Sequence, residues 1–286
     1  MAKEKTSNAD LFAIAPRPST PARIGIGGWT YAPWRNNFYP AGLIQKRELE
    51  YASRQLTAIE VNGTFYGAQK PAVYASWRAQ APDGFLFSLK APKRIVESRQ
   101  LAGSKGQVEA FVHGGLAELG DRLGPILWQL APHRAFAADD LAAFLDLLPR
   151  ELDGRRLRHV LEVRHDSFRS AAYLELMRRH GLPTVFTDSP DYPSFADITG
   201  DFVYARLMRS RSDLATGYSE SALEAWAAHT RIWLAGGAPD DLPYVQPDLR
   251  PAAVPRDTFV YFISSAKERN PAAATSLLRR LEPANR

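Results

Sequence analysis

Eight side chains that could hold a charge or orient a polar group stand at the ends of short apolar runs: Glu60, Asn62, Lys90, Gln129, Glu162, Arg164, Asp188 and Arg206. Glu60 and Glu162 are a carboxylate pair available for general acid and base chemistry, which needs one group protonated and the other ionised. Lys90, Arg164 and Arg206 suit a carboxylate or phosphate on a substrate. Lys90 could also form a Schiff base if the arginines lowered its pKa, although anion binding is the favoured role. Glu60, Glu162 and Asp188 are oxygen ligands of the kind that magnesium or manganese takes. Three neighbouring cations argue against a divalent metal, and no cofactor is expected. His165 follows Arg164 as a candidate proton carrier. His159 lies at the other end of that run, about 20 Å away at the rise of a strand, so the two cannot share an ion. Trp29, Tyr31, Tyr39, Phe65 and Tyr66 could stack on a sugar or a base, or simply pack a covering loop. Trp29, Tyr66 and Tyr218 join the candidate substrate contacts with Asn62, Gln129, Arg164, Asp188 and Arg206, while Glu60, Glu162, Lys90 and His165 are the candidate catalytic set.

The elements that must position these residues repeat as a unit: a β-branched or aromatic run, a polar loop, then a helical pattern. The runs cover 24–28, 58–62, 85–90, 126–130, 160–164, 184–188, 203–207 and 258–264. Helical spacing of apolar residues marks 46–56, 71–78, 104–123, 138–148, 170–180, 220–234 and 270–281, with Gly181 and Gly236 as stops. Alternating strands and helices imply parallel pairing with right-handed crossovers. The sixth unit differs: 189–201 contains Pro190 and Pro193, so its helix is short or missing. An open sheet binding a dinucleotide would need a glycine-rich phosphate loop, and Gly25-Ile26-Gly27-Gly28-Trp29-Thr30 lacks the third glycine and runs into aromatics. A tight turn explains it better. The expected fold is a TIM-type (β/α)8 barrel, in which polar strand ends gather at the C-terminal mouth. Residues two apart face the same way, pairing Glu60 with Asn62, Ser88 with Lys90, Glu162 with Arg164, Phe186 with Asp188 and Tyr204 with Arg206. If all face the axis, three carboxylates meet three cations.

Several of these segments together resemble a known family. Gly25-x-Gly-Gly-Trp-Thr-Tyr31 with Trp34 and Phe38-Tyr39-Pro40, Glu60-Val-Asn-Gly-Thr-Phe-Tyr66, Phe87-x-x-Lys90, Leu127-x-Gln129-Leu, Glu162-Val-Arg164-His165 and Tyr204-x-Arg206-Leu look like the YecE-like domain of unknown function. The resemblance runs from Arg23 to about residue 275. It implies a TIM-type barrel and lends no established activity. Two departures stand out: Met208-Arg209-Ser210 where the family commonly has a histidine and glycine, and Phe262-Ile263-Ser264 where it tends to show Phe-Asn-Asn.

Composition narrows the function classes. At 286 residues and 45% hydrophobic, the chain can bury a full core as one barrel domain over 23–286, after a proline-containing tail over 1–22 expected to be disordered. The lack of cysteine excludes disulfides, thiolate nucleophiles and cysteine-held clusters, and fits a cytoplasmic location. A net charge of +5, with 36 basic residues interspersed among 31 acidic ones, falls short of a nucleic-acid footprint. The sequence therefore points to an enzyme, a hydrolase or an isomerase or lyase, acting on a small anionic, hydroxylated compound by carboxylate acid/base chemistry. The alternatives are a nucleic-acid-binding module using Arg209 and Arg211, or a metal-dependent hydrolase. No membrane partner is expected.

Overall fold

The computed structural model describes residues 21–249 and 251–282. The tail expected over 1–22 lies outside these residues except for its last two positions. Eight strands form one parallel sheet: β1 (Arg23–Gly27), β2 (Ala58–Val61), β3 (Leu86–Lys90), β4 (Leu123–Gln129), β5 (His159–Glu162), β6 (Phe186–Thr187), β7 (Phe202–Leu207) and β8 (Asp257–Phe262). Their hydrogen-bonded order is β5-β4-β3-β2-β1-β8-β7-β6. A bridge between Leu161 and Thr184 brings β5 to β6 and closes the ring. Among the described residues two backbone hydrogen bonds mark that seam, Leu161 N to Pro183 O (3.1 Å) and Val185 N to Leu161 O (2.9 Å). The fold is a (β/α)8 barrel.

Strands buried on both faces need apolar residues at both parities, and the two faces build two cores. Ala58, Leu86, Leu127, Val160, Val185, Phe202, Tyr204, Phe259 and Tyr261 fill the inside of the barrel. The opposite faces pack against helices α1 (Glu48–Gln55), α2 (Gly63–Tyr66), α3 (Pro71–Gln80), α4 (Lys93–Val96), α5 (Lys105–Val112), α6 (Ala138–Asp146), α7 (Ala171–His180), α8 (Glu220–Leu234) and α9 (Asn270–Leu281). Ser170 and Ser219 cap α7 and α8 through their side chains, and Gly181 ends α7 in the left-handed region. The β1 glycines make room for their neighbours. A β-carbon on Gly25 would fall 2.1 Å from the Ala58 carbonyl oxygen and 3.0 Å from the Tyr261 ring, and one on Gly27 would lie 2.9 Å from the Asn62 amide nitrogen.

The helix expected over 104–123 is not continuous. α5 stops at Val112, Gly115 turns the chain at φ +127°, and a 3-10 segment (Leu116–Arg122) follows. Leu116 and Leu119 are buried in the same outer core as Val108 and Phe111, so the apolar period survives the break and disguises it. The sixth unit has no helix among the described residues, as its prolines suggested. No helix among the described residues is long and apolar enough to cross a membrane.

Candidate functional site

Arg206 organises the mouth. Its place at the end of β7, two residues beyond the inward-facing Tyr204, carries its side chain into the barrel, where 2% of the residue is exposed. Nε and Nη2 each donate to the Glu60 carboxylate at 3.0 Å, and Nη1 donates to Glu162 Oε2 at 2.5 Å and to Gln129 Oε1 at 3.4 Å. Tyr204 donates to Glu60 Oε2 at 2.8 Å. Glu60, fully enclosed, therefore has both oxygens occupied. Arg164 completes the other side: Nε donates to Glu162 Oε1 at 2.7 Å, Nη2 to Gln129 Oε1 at 2.8 Å and Nη1 to the Tyr192 hydroxyl at 3.1 Å. Its guanidinium also lies 4.1 Å from the centroid of the Tyr192 ring. Burial pushes the Glu162 carboxyl up, but Arg206, Arg164 and Lys90 more than offset this and hold it below the usual carboxylate range. Burial opposes the charge on Arg206 too, and the two carboxylates outweigh it, leaving its pKa raised.

Lys90 has no such partner. It is 9% exposed at the end of β3, and among the described residues its ammonium makes no hydrogen bond or ion pair. Its Nζ sits 4.0 Å from the centroid of the Phe65 ring. Burial first, then the charge of Arg206, lower its pKa to about 8 against the opposing pull of Glu60 and Glu162. The cluster thus holds three cations against two carboxylates.

The third carboxylate expected there is elsewhere. Phe186 faces outward onto Trp226 and Trp233, while Val185 faces the barrel interior, so Asp188 is not an inward residue. Its carboxylate accepts from Met208 N at 2.5 Å and from the Tyr218 hydroxyl at 3.2 Å. Burial raises its pKa to about 6 despite those bonds. Tyr218 is consumed in the same contact and also accepts from Arg209 N. His165 uses Nδ1 on Ser167, whose hydroxyl lies at 2.9 Å and whose backbone N–H donates at 3.2 Å, so it caps a short 3-10 turn and does not join the cluster. Trp29 packs edge-on against Trp77 at 5.1 Å and faces the outer core. Asn62 is half-buried over Gly27, and its carbonyl starts the turn that carries Phe65. Tyr66 is 85% exposed and borders a hollow of about 360 Å³ shared with Phe65, Pro92, Lys93 and Arg94. Another cavity, of about 290 Å³, lies between Leu116, Gly124 and Arg158 at the opposite end of the barrel, away from the charged cluster.

Tyr192 and Tyr204 were not among the expected site residues. Tyr204 shares the parity of Arg206 and was legible on that ground; Tyr192 comes from the helix-free sixth loop, where no periodicity locates a side chain. Among the described residues no group of three or more histidine, aspartate or glutamate side chains is placed to hold a metal ion. Arg211, expected in a nucleic-acid surface, is paired with Asp213 at 2.5 Å.

Comparison with known proteins now fixes the family. Residues 23–286 match the model described as "Protein of unknown function DUF72". The chain belongs to this family. It is 30% identical over 162 residues to the UPF0759 protein YecE of Escherichia coli K12, a match covering 56% of this chain and 54% of that protein. The chain thus spans about half the length of this curated relative. A DUF72 protein from Thermotoga maritima superposes with a TM-score of 0.70 at 20% identity, covering 92% of this chain and 99% of the other. One from Enterococcus faecalis superposes at 0.65 with 14% identity, covering 93% and 97%. These likenesses establish the barrel. The DUF72 description assigns no substrate. Ser264, where the resemblance led us to expect an asparagine, and Ser265 after it sit at φ of 62° and 48°, a left-handed conformation that asparagine accepts more readily than most residues.

Proposed function

We propose that the protein is an enzyme whose substrate is a small anionic, hydroxyl-bearing compound, such as a phosphorylated or carboxylated sugar, bound at the mouth beside Lys90 and Arg164. The observation that carries this reading is the buried Lys90 ammonium, which makes no hydrogen bond or ion pair among the described residues. A buried charge without a partner costs several kcal/mol unless something neutralises it, and an incoming anion would do so. Arg164 retains donor hydrogens on Nη1 and Nη2 beyond those given to Tyr192 and Gln129. Gln129 spends its oxygen on the two guanidiniums, which leaves its amide nitrogen as a donor for a hydroxyl. The acid/base assignment changes from a Glu60 and Glu162 pair. Glu60 is enclosed and positions Arg206, and Glu162, equally buried with its two oxygens held by Arg164 and Arg206, stays ionised and stabilises positive charge that develops beside it. Asp188, with its pKa raised to about 6, is the carboxyl near the strand ends best able to hold a proton near neutrality.

Calorimetric titration with inorganic phosphate, glucose 6-phosphate and glucuronate tests this reading. Saturable binding that weakens with salt and drops at least tenfold in Lys90→Met is expected. Equal affinities in wild type and variant, or no binding of any of the three, would overturn it.

A further inference from the structure

We infer that Lys90 is a covalent catalyst whose Nζ attacks the carbonyl carbon of an aldehyde or ketone group on the bound anion and forms an imine. This rests on the reading that an anion docks at the mouth, and it goes further by naming the reacting group of the substrate and the bond made to it. If Lys90 served only to attract an anion, Arg164 beside it would already supply a permanent charge with planar donors suited to carboxylate or phosphate. What Lys90 adds is an amine that can lose its proton and become a nucleophile. The groups facing it arrange for this. Arg206 from β7 and Arg164 from beyond β5 disfavour the ammonium, Glu60 from β2 and Glu162 from β5 favour it, and Phe65 from α2 covers one side. Burial tips the balance towards the free amine, and a lysine desolvated next to other cations is a recognised form of activated nucleophile. Neither a carboxylate nor a carbonyl of the described residues ties up the nitrogen, so once it loses its proton its lone pair is free for a ligand.

The step balances without a further reactant. The neutral amine adds to the carbonyl carbon, breaking the carbon–oxygen π bond. The carbinolamine then expels its oxygen as water, with one proton taken from solvent, leaving a protonated imine. The product carries the positive charge that the ammonium carried, at the same place, so Glu60 and Glu162 stabilise it as they do the ammonium. Arg164 stays charged throughout and holds the anionic end of the substrate.

Reductive trapping tests the inference. Wild-type protein is incubated with glyoxylate and sodium cyanoborohydride between pH 6 and 10, and peptide mass spectrometry follows the rate at Lys90 and at the exposed Lys70. Lys90 is expected to be alkylated at least tenfold faster than Lys70 at pH 7, to reach half its maximal rate near pH 8, and to be slowed by inorganic phosphate. Equal rates at the two lysines, or a Lys90 rate that climbs in parallel with that of Lys70 up to pH 10, would overturn it. Because the mapping uses wild-type protein, it does not depend on a variant folding. The phosphate titration separates the two proposals. Phosphate binding without trapping at Lys90 sinks the covalent step alone, and rapid trapping that phosphate neither accompanies nor slows sinks the anion site alone.

Discussion

Replacing Lys90 by methionine should make the protein more stable, not less. The folded state holds the ammonium at a pKa of about 8, against 10.5 for an unburied lysine, a difference worth about 3 kcal/mol. Between these two values the unfolded chain binds the proton while the folded chain has released it, so stability climbs with pH across that window. At pH 7 both states carry the proton and the folded state bears the whole penalty. Methionine keeps an unbranched apolar stem against Phe65 and removes the charge. The expected gain at pH 7 is up to about 3 kcal/mol, a rise of roughly 5–10 °C in Tm for a domain of this size. It should shrink towards zero as the pH approaches 10.5. Urea melts of wild type and variant at pH 7 and pH 9.5 measure it, and comparing the two proteins cancels the titration of tyrosines elsewhere. A variant no more stable than wild type at pH 7, or a difference that is the same at both pH values, would refute the reasoning that Lys90 is an uncompensated buried charge. A stability gain coupled to lost anion binding would mark Lys90 as a residue kept for function at the expense of the fold.

Arg206→Met should be costly, by about 3–5 kcal/mol in a denaturant melt, because it strands two buried carboxylates. Adding Glu60→Gln in the same background should restore part of that loss; no recovery would mean that the arginine acts by packing alone. His159, which accepts from the Trp128 indole and lies against the Pro149 carbonyl, has its pKa lowered by burial to about 4. It therefore contributes about 3 kcal/mol that is present above pH 6.5 and is lost as the pH falls towards 4, a slope that His159→Gln should flatten. Asp188 works in the opposite sense: its pKa is raised to about 6, so its contribution is present below pH 3.8 and is lost as the pH rises through 6, and Asp188→Asn should remove that slope.

The parts of the site legible in the sequence are those on strands with a clear period. Glu60, Glu162 and Arg206 share parity with the inward residues Ala58, Val160 and Tyr204, and they meet. Asp188 follows Thr184-Val185-Phe186-Thr187, where apolar and β-branched side chains occupy both parities, so the alternation could not say which face was inside. The structured strand there is only two residues long. The continuity expected through Gly114 and Gly115 failed for a related reason: burial of Leu116 and Leu119 preserves a helical rhythm after the helix has ended. That Lys90 has no hydrogen-bond or ion-pair partner among the described residues could not be seen at all, since it depends on what seven other strands bring near it.

The seam between β5 and β6 is the barrel's thinnest joint, and the charged cluster spans it. Arg206 of β7 grips Glu162 of β5 over the top of the two-residue β6, while Tyr192, on the loop leaving β6, leans on Arg164. The same side chains therefore act as a clasp for the scaffold and as the lining of the proposed binding mouth. A molecule that pulled Arg164 from its neighbours would loosen the ring where backbone pairing is sparsest, so binding at the proposed site and barrel closure would share one latch.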